Sequence, residues 1–186
     1  MIIVVSGLPR SGTSMMMNIL KAGGIPLLTD NSRKANEENP RGYYEYERVK
    51  QLEKDASWLE KAEGKAVKVI SYLLKHLPED YNYRIVFMER KIEEVLASQK
   101  KMIKRRGETT NKVSDEVMKK LFEKHLKEVD EMLKFRANMK TIYVSYNKIL
   151  EEPEPHLERI NIFLGGELDT KKMVRVVDPQ LHRQRK

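Results

Sequence analysis

The chain has no cysteine and one tryptophan among its 186 residues. The first absence removes disulfides, thiolate metal sites and a cysteine nucleophile together. Histidine is scarce as well. His76, His125, His156 and His182 are scattered without ligand spacing, so no metal site built on them is expected. No apolar run reaches the roughly 20 residues of a membrane-spanning helix. No charged and then apolar leader pattern stands before the first strand, so a cytoplasmic protein is expected. Acidic residues are outnumbered, 28 against 36 Lys and Arg, which gives a formal net charge of +8. That excess favours anionic partners, a phosphorylated nucleotide or nucleic acid among them. With 40% hydrophobic and 34% charged residues the chain is globular rather than disordered, and its length suits one domain spanning residues 1–186.

Four apolar, β-branched runs read as buried strands: Ile2–Ser6, Ala66–Ile70, Arg84–Met88 and Thr141–Ser145. Helical patterns separate them. They run from about Gly12 to Ala22, from about Glu45, over Ile92–Lys104, over Val113–Phe135, and from Pro153 to a stop at Gly165-Gly166. In the longest, Val117, Met118, Leu121, Phe122, Leu126, Val129, Met132 and Leu133 form one stripe at helical spacing, expected to face the core. Strands alternating with helices predict an α/β fold, a three-layer αβα sandwich around a central parallel sheet.

In such a sheet ligands sit beyond the carboxyl ends of the strands. The first end carries Gly7-Leu8-Pro9-Arg10-Ser11-Gly12-Thr13-Ser14. A strand, a tight glycine-containing turn and a helix start direct backbone N–H groups at one spot, where the helix adds its partial positive charge. The expected ligand is a phosphate or a close relative. Gly7 and Gly12 have the spacing of a Walker A loop, but Thr13 stands at the lysine position and the long cation is Arg10, inside the loop. No strand end presents a clear Walker B aspartate for Mg²⁺. Both features count against a kinase or ATPase. At the third strand end, Arg90 and Ser98 lie eight residues apart. About two helical turns separate them, so they share one side and can reach one phosphate.

Pro9-Arg10-Ser11-Gly12-Thr13-Ser14 resembles the 5′-phosphosulfate loop of the sulfotransferases that use 3′-phosphoadenosine 5′-phosphosulfate (PAPS), and Arg84–Gln99 resembles their 3′-phosphate segment. Val144–Pro153, with Leu157–Ile160 and Phe163-Leu164-Gly165, is similar to their late segment, so the resemblance runs from Ile2 to about Gly166. It implies a P-loop-type fold and PAPS as co-substrate without a metal. It implies that Pro9, Arg10, Ser11, Gly12, Thr13 and Ser14 hold the 5′ end, and that Arg90 and Ser98 hold the 3′-phosphate. Two departures stand out. Met15 occupies the place of a tryptophan that flanks the adenine in many members. The Gly- and Lys-rich segment of the cytosolic branch is replaced by a basic tail with Arg183 and Arg185.

The resemblance also points to catalytic groups. Arg10 would meet charge developing on the leaving phosphate. Lys68, after the second strand, matches a lysine near the bridging oxygen, although the motif around it differs. The base is sought in Asn36–Glu45, where an Asn-Pro-x-Gly-aromatic-aromatic-Glu pattern points to Glu45, with Glu38 in reserve. His76, in Lys75-His76-Leu77-Pro78, is the rival, set one helical turn too far from its strand. The reaction implied is metal-independent, in-line transfer of a sulfuryl group to an acceptor hydroxyl or amine. A nucleotide phosphotransferase or a non-catalytic nucleotide- or nucleic-acid-binding protein is the alternative. The basic run Lys100, Lys101, Lys104, Arg105, Arg106 lacks the aromatics that stack on bases, so nucleic acid is disfavoured. A small molecule or a peptide is the expected acceptor. The variable loop around Thr29–Tyr44 and the segment Arg105–Val113 are expected to shape its pocket.

Overall fold

The computed structural model describes residues 1–30, 42–105, 107 and 113–178. Four strands, β1 (Ile2–Gly7), β2 (Ala66–Lys68), β3 (Tyr83–Glu89) and β4 (Met139–Ser145), form one sheet in the order β2-β1-β3-β4. Every pairing is parallel, with Val5 opposite both Lys68 and Val86, and Glu89 opposite Ser145. The helices are α1 (Thr13–Ala22), α2 (Ile92–Arg105), α3 (Asp115–Phe135), α4 (Tyr146–Glu151), α5 (Pro153–Leu164) and α6 (Thr170–Arg175). The expected α/β class is therefore observed.

All six β1 residues are buried, as a strand covered on both faces requires. Alternation then sorts the core. Ile2, Val4, Val67, Ile85 and Phe87 face one layer with Trp58, Leu74, Val129 and Leu133. Ile3, Val5, Val86 and Met88 face the other with Met16, Leu20, Leu157 and Ile160 from α1 and α5. A smaller cluster of Leu8, Val95, Leu96 and Phe122 ties the first loop to α2 and α3.

Three expectations change. The helix expected from Glu45 is instead two short 3-10 segments, Glu47–Gln51 and Ser57–Ala62. Asp55 breaks the run: its Oδ1 accepts from the Ser57 N–H at 2.9 Å, a local turn that competes with helix, and its Oδ2 takes Arg48. The second strand stops at Lys68, although the Val69 N–H still donates to the Val5 carbonyl at 3.0 Å. The α3 stripe is only partly core. Phe122, Val129 and Leu133 are buried, whereas Val117 and Leu121 are about half exposed, at 49% and 53%. The stripe is wider than the surface that α2, the Ser71–His76 segment and β4 present to α3. Two helices not foreseen, α4 and α6, flank α5.

Candidate active site

The strand-to-helix turn after β1 is built on two glycines. Gly7 has φ 140°, and a Cβ there would lie 2.5 Å from Ser11 Oγ and 2.6 Å from the Met88 carbonyl. Gly12 has φ 101°, and a Cβ there would overlap the Tyr146 ring. Only glycine allows both the backbone angle and the approach. Gly12 caps α1 without a side-chain hydrogen bond, and the first turn of α1 carries no acid. The N-terminal N–H groups and their partial charge are thus left for an anion.

Arg10 adopts φ 76°, rare for a non-glycine residue. Three side chains from the β3–α2 connection and α2 hold it there. The Arg90 Nη1 donates to the Arg10 carbonyl at 3.1 Å, and Gln99 Nε2 donates to the Pro9 carbonyl at 3.3 Å. The Arg10 Nε donates to Ser98 Oγ at 2.9 Å. Arg10, Arg90 and Ser98, far apart in sequence, therefore meet around one loop. The terminal Nη groups of Arg10 have no protein partner among the described residues. Ser11 is 1% exposed and its Oγ has no hydrogen-bond partner among the described residues. Thr13 is buried and Ser14 half-buried at the head of α1.

A second cluster lies at the end of β2. Lys68 is not a surface lysine: its side chain is 9% exposed. Its Nζ donates to the Tyr43 carbonyl and to Ser14 Oγ at 3.4 Å, and pairs with Glu45 Oε1 at 3.4 Å. Ser14 Oγ also donates to the Tyr43 carbonyl at 3.2 Å. The Glu45 backbone is anchored: its carbonyl accepts from Thr29 Oγ1 at 2.8 Å and from the Asp30 N–H at 3.2 Å. Tyr44, at φ 52°, donates its hydroxyl to Asn18 Oδ1 at 3.0 Å. Lys68 thus stands beside Ser14 in the first turn of α1, with Glu45 on the other side of its ammonium.

His76 ends a 3-10 segment, Ser71–His76, and makes no hydrogen bond among the described residues. The histidine that does meet the β2 end is His125. Its Nε2 lies 2.9 Å from Ser71 Oγ, and its ring stacks on Tyr72 at 3.7 Å. Burial holds the His125 pKa below the ordinary value. No sequence motif marked it. Glu94 and Asn147 were also unmarked. Glu94 is 1% exposed, accepts from Arg90 Nε at 2.8 Å and from Asn147 Nδ2 at 2.9 Å. Its i,i+4 spacing from Arg90 was the available signal. Met15 is partly buried against the α1 layer. Glu38, Asn36–Arg41, Arg106, Arg183 and Arg185 lie outside the described residues, as does most of the segment Arg105–Val113.

A cavity of about 590 Å³ opens on the opposite flank, lined by Leu8, Ser11, Phe87, Arg90, Leu126 and Tyr143 among others. It sits by β3 and β4 and reaches Ser11 and Arg90, whereas Lys68 ends β2, two to three strand spacings or roughly 9–14 Å away. At its mouth, partial burial and the charge of Asp130 push the Glu89 carboxyl up. Among the described residues no cluster of three His, Asp or Glu could hold a metal ion, and no helix is long and apolar enough to cross a membrane.

The sulfotransferase-domain family model matches residues 2–181. No curated protein matches the chain. Among solved structures, the sulfotransferase domain of the Synechococcus PCC 7002 olefin synthase is similar at TM-score 0.62 and 14% identity, covering 97% of this chain and 85% of that one. The sulfotransferase domain from the curacin biosynthetic pathway aligns at TM-score 0.53 and 14% identity, covering 95% and 77%. Retinol dehydratase, solved with androsterone and the inactive cofactor PAP, aligns at TM-score 0.53 and 15% identity, covering 97% of this chain and 64% of that one.

Proposed function

The chain belongs to the sulfotransferase family, and from that premise we propose that it moves a sulfuryl group from PAPS to the hydroxyl or amine of a small molecule or peptide. The observation that carries the reading is the meeting of Arg10, Ser98 and Arg90 around a glycine-built turn at the head of α1. These residues fit the nucleotide. The cradle is lined by backbone where any Cβ would intrude, a buried Ser11 hydroxyl lacks a partner, and the Nη groups of Arg10 have no protein partner among the described residues.

When bound, PAPS supplies an activated sulfuryl group on a phosphate that departs as an anion. Pro9 and Gly12 shape the turn. The N–H groups of Gly12–Ser14, with the Ser11, Thr13 and Ser14 hydroxyls, hold the 5′ end at the helix start. Arg10 cannot donate its proton, since a guanidinium stays charged. It therefore serves by charge, oriented beforehand so that no reorganisation is needed as the anion develops. Arg90 and Ser98 bind the 3′-phosphate, Ser98 turning from Arg10 to do so. Lys68, neighbouring Ser14 Oγ, stabilises the bridging side. Glu45, next to Lys68, accepts the acceptor's proton at its carboxylate. Acceptor entry is then from the β2 side, away from the cavity by β4.

The test is a calorimetric titration with 3′-phosphoadenosine 5′-phosphate (PAP) against ATP, with and without Mg²⁺. The expected result is Mg²⁺-independent PAP binding that weakens about 10- to 100-fold in Arg90→Ala, as the loss of charge-assisted hydrogen bonds dictates. A preference for Mg·ATP would overturn the reading and place the protein with the phosphotransferases.

A further inference from the structure

Glu94 is a carboxylate buried to 1% exposure on the first turn of α2. A buried ion pair contributes little to stability, because desolvation offsets its Coulomb gain. Its effect here is on direction. The Arg90 guanidinium is gripped on three sides. Its Nε donates to Glu94 Oε2 at 2.8 Å, its Nη1 donates to the Arg10 carbonyl at 3.1 Å, and its Cζ lies over the Tyr146 ring, 4.3 Å from the centroid. Glu94 is in turn fixed by Asn147 Nδ2, which donates to its second oxygen at 2.9 Å. The Arg90 side chain is 7% exposed, and its Nη2 has no partner among the described residues.

We propose that Glu94, braced by Asn147, is a positioning residue that aims Arg90 and so sets the selectivity of the site for a nucleotide bearing a 3′-phosphate. The inference rests on the reading of Arg90 as the 3′-phosphate ligand. Two consequences follow from the geometry. The side-chain freedom of Arg90 is removed before any ligand arrives, so less entropy is lost on binding. The Arg90–Glu94 pair is also net neutral, so a phosphate there is recognised by directed N–H donors rather than by an excess of charge.

Charge and direction make opposite predictions for Glu94→Gln. If Glu94 only dampened the charge of Arg90, its neutralisation would tighten PAP binding. If it aims Arg90, neutralisation weakens PAP binding. The experiment compares PAP with AMP, which lacks the 3′-phosphate, in calorimetry on the full chain. The expected result is about a tenfold loss of PAP affinity in Glu94→Gln with AMP affinity unchanged. In an Arg90→Ala background, Glu94→Gln is expected to add nothing further, the mark of one residue acting through the other. Asn147→Ala, which removes only the brace, is expected to shift the PAP/AMP ratio less and in the same direction, and it carries the test if Glu94→Gln does not fold. Unchanged or tighter PAP binding overturns the proposal, as do equal losses for PAP and AMP, or losses that add to those of Arg90→Ala. A wild-type protein that does not prefer PAP to AMP instead overturns the donor reading beneath it.

Discussion

Gly12→Ala isolates the cost of the glycine-built turn after β1, because the chain contains its own control. Gly12 and Gly24 have nearly equal angles, φ 101° and φ 103°. Among the described residues a Cβ at Gly24 would meet nothing within 4 Å, whereas one at Gly12 would overlap the Tyr146 ring. The backbone strain of an L-residue at such an angle is about 1–3 kcal/mol at either site. Overpacking adds about 1–3 kcal/mol at Gly12 alone. Gly24→Ala is therefore expected to lower stability by about 1–3 kcal/mol, and Gly12→Ala by about 2–6. The assay is urea unfolding followed by circular dichroism, with PAP titration on the same samples. The steric share is checked by placing Gly12→Ala in a Tyr146→Ala background, where its cost should fall to that of Gly24→Ala, a coupling of about 1–3 kcal/mol. Binding should fall in Gly12→Ala and stay unchanged in Gly24→Ala. Equal costs at the two glycines, or strict additivity with Tyr146→Ala, would refute the claim that ring and loop backbone are in direct contact.

Glu45→Gln is expected to lower turnover about 10²- to 10⁴-fold while PAP affinity stays within about twofold, measured by product formation beside calorimetry. Equal turnover would exclude Glu45 as the base. His125 is held below the ordinary histidine pKa of 6.5 by burial. Its neutral form is thus preferred in the folded state, and the stability it contributes is complete above pH 6.5 and declines as pH falls through that value. Melting temperatures across this range should fall less steeply in His125→Gln than in wild type; parallel curves would count against the assignment. Trp58→Ala should cost about 3–5 kcal/mol in urea unfolding, since Trp58 is fully buried in the layer opposite α1; a cost under 1 kcal/mol would show that the site collapses freely.

The features legible beforehand were those that depend on local pattern. Ile2–Val5 is apolar without interruption because β1 is covered on both faces, and alternation of such runs with helical stretches leaves few topologies. Pro153 and Gly165 mark the limits of α5 because proline's fixed φ suits a first helical turn and glycine's freedom at positive φ suits its end. Patterns that depend on how much neighbouring surface is available were less legible. Nothing in the spacing of Val117 and Leu121 says that α3 finds cover for only part of its stripe. The 3-10 turns around Asp55 were missed because one side-chain hydrogen bond outweighed a weak helical pattern.

The site divides in the same way. Gly7, Gly12, Arg10 and the Arg90–Ser98 spacing were readable because loop geometry and helical period are short-range properties. Lys68 was marked in the sequence by its place after the second strand, which leaves its burial open. The parallel register that sets β2 beside β1 decides it by bringing the Lys68 Nζ to Ser14, Tyr43 and Glu45. Glu94 looked like an ordinary acid in the first turn of a helix. Only the packing of α4 against the loop, which brings Tyr146 and Asn147 to Arg90 and Glu94, makes it a buried partner. The sequence by itself determined the sheet, the glycine-built turn after β1 and the spacing of the residues that meet around it, because each follows from a few adjacent dihedrals or one helical period. The tertiary structure decided which charged groups meet and which are desolvated, because burial is set by chain segments far apart in sequence.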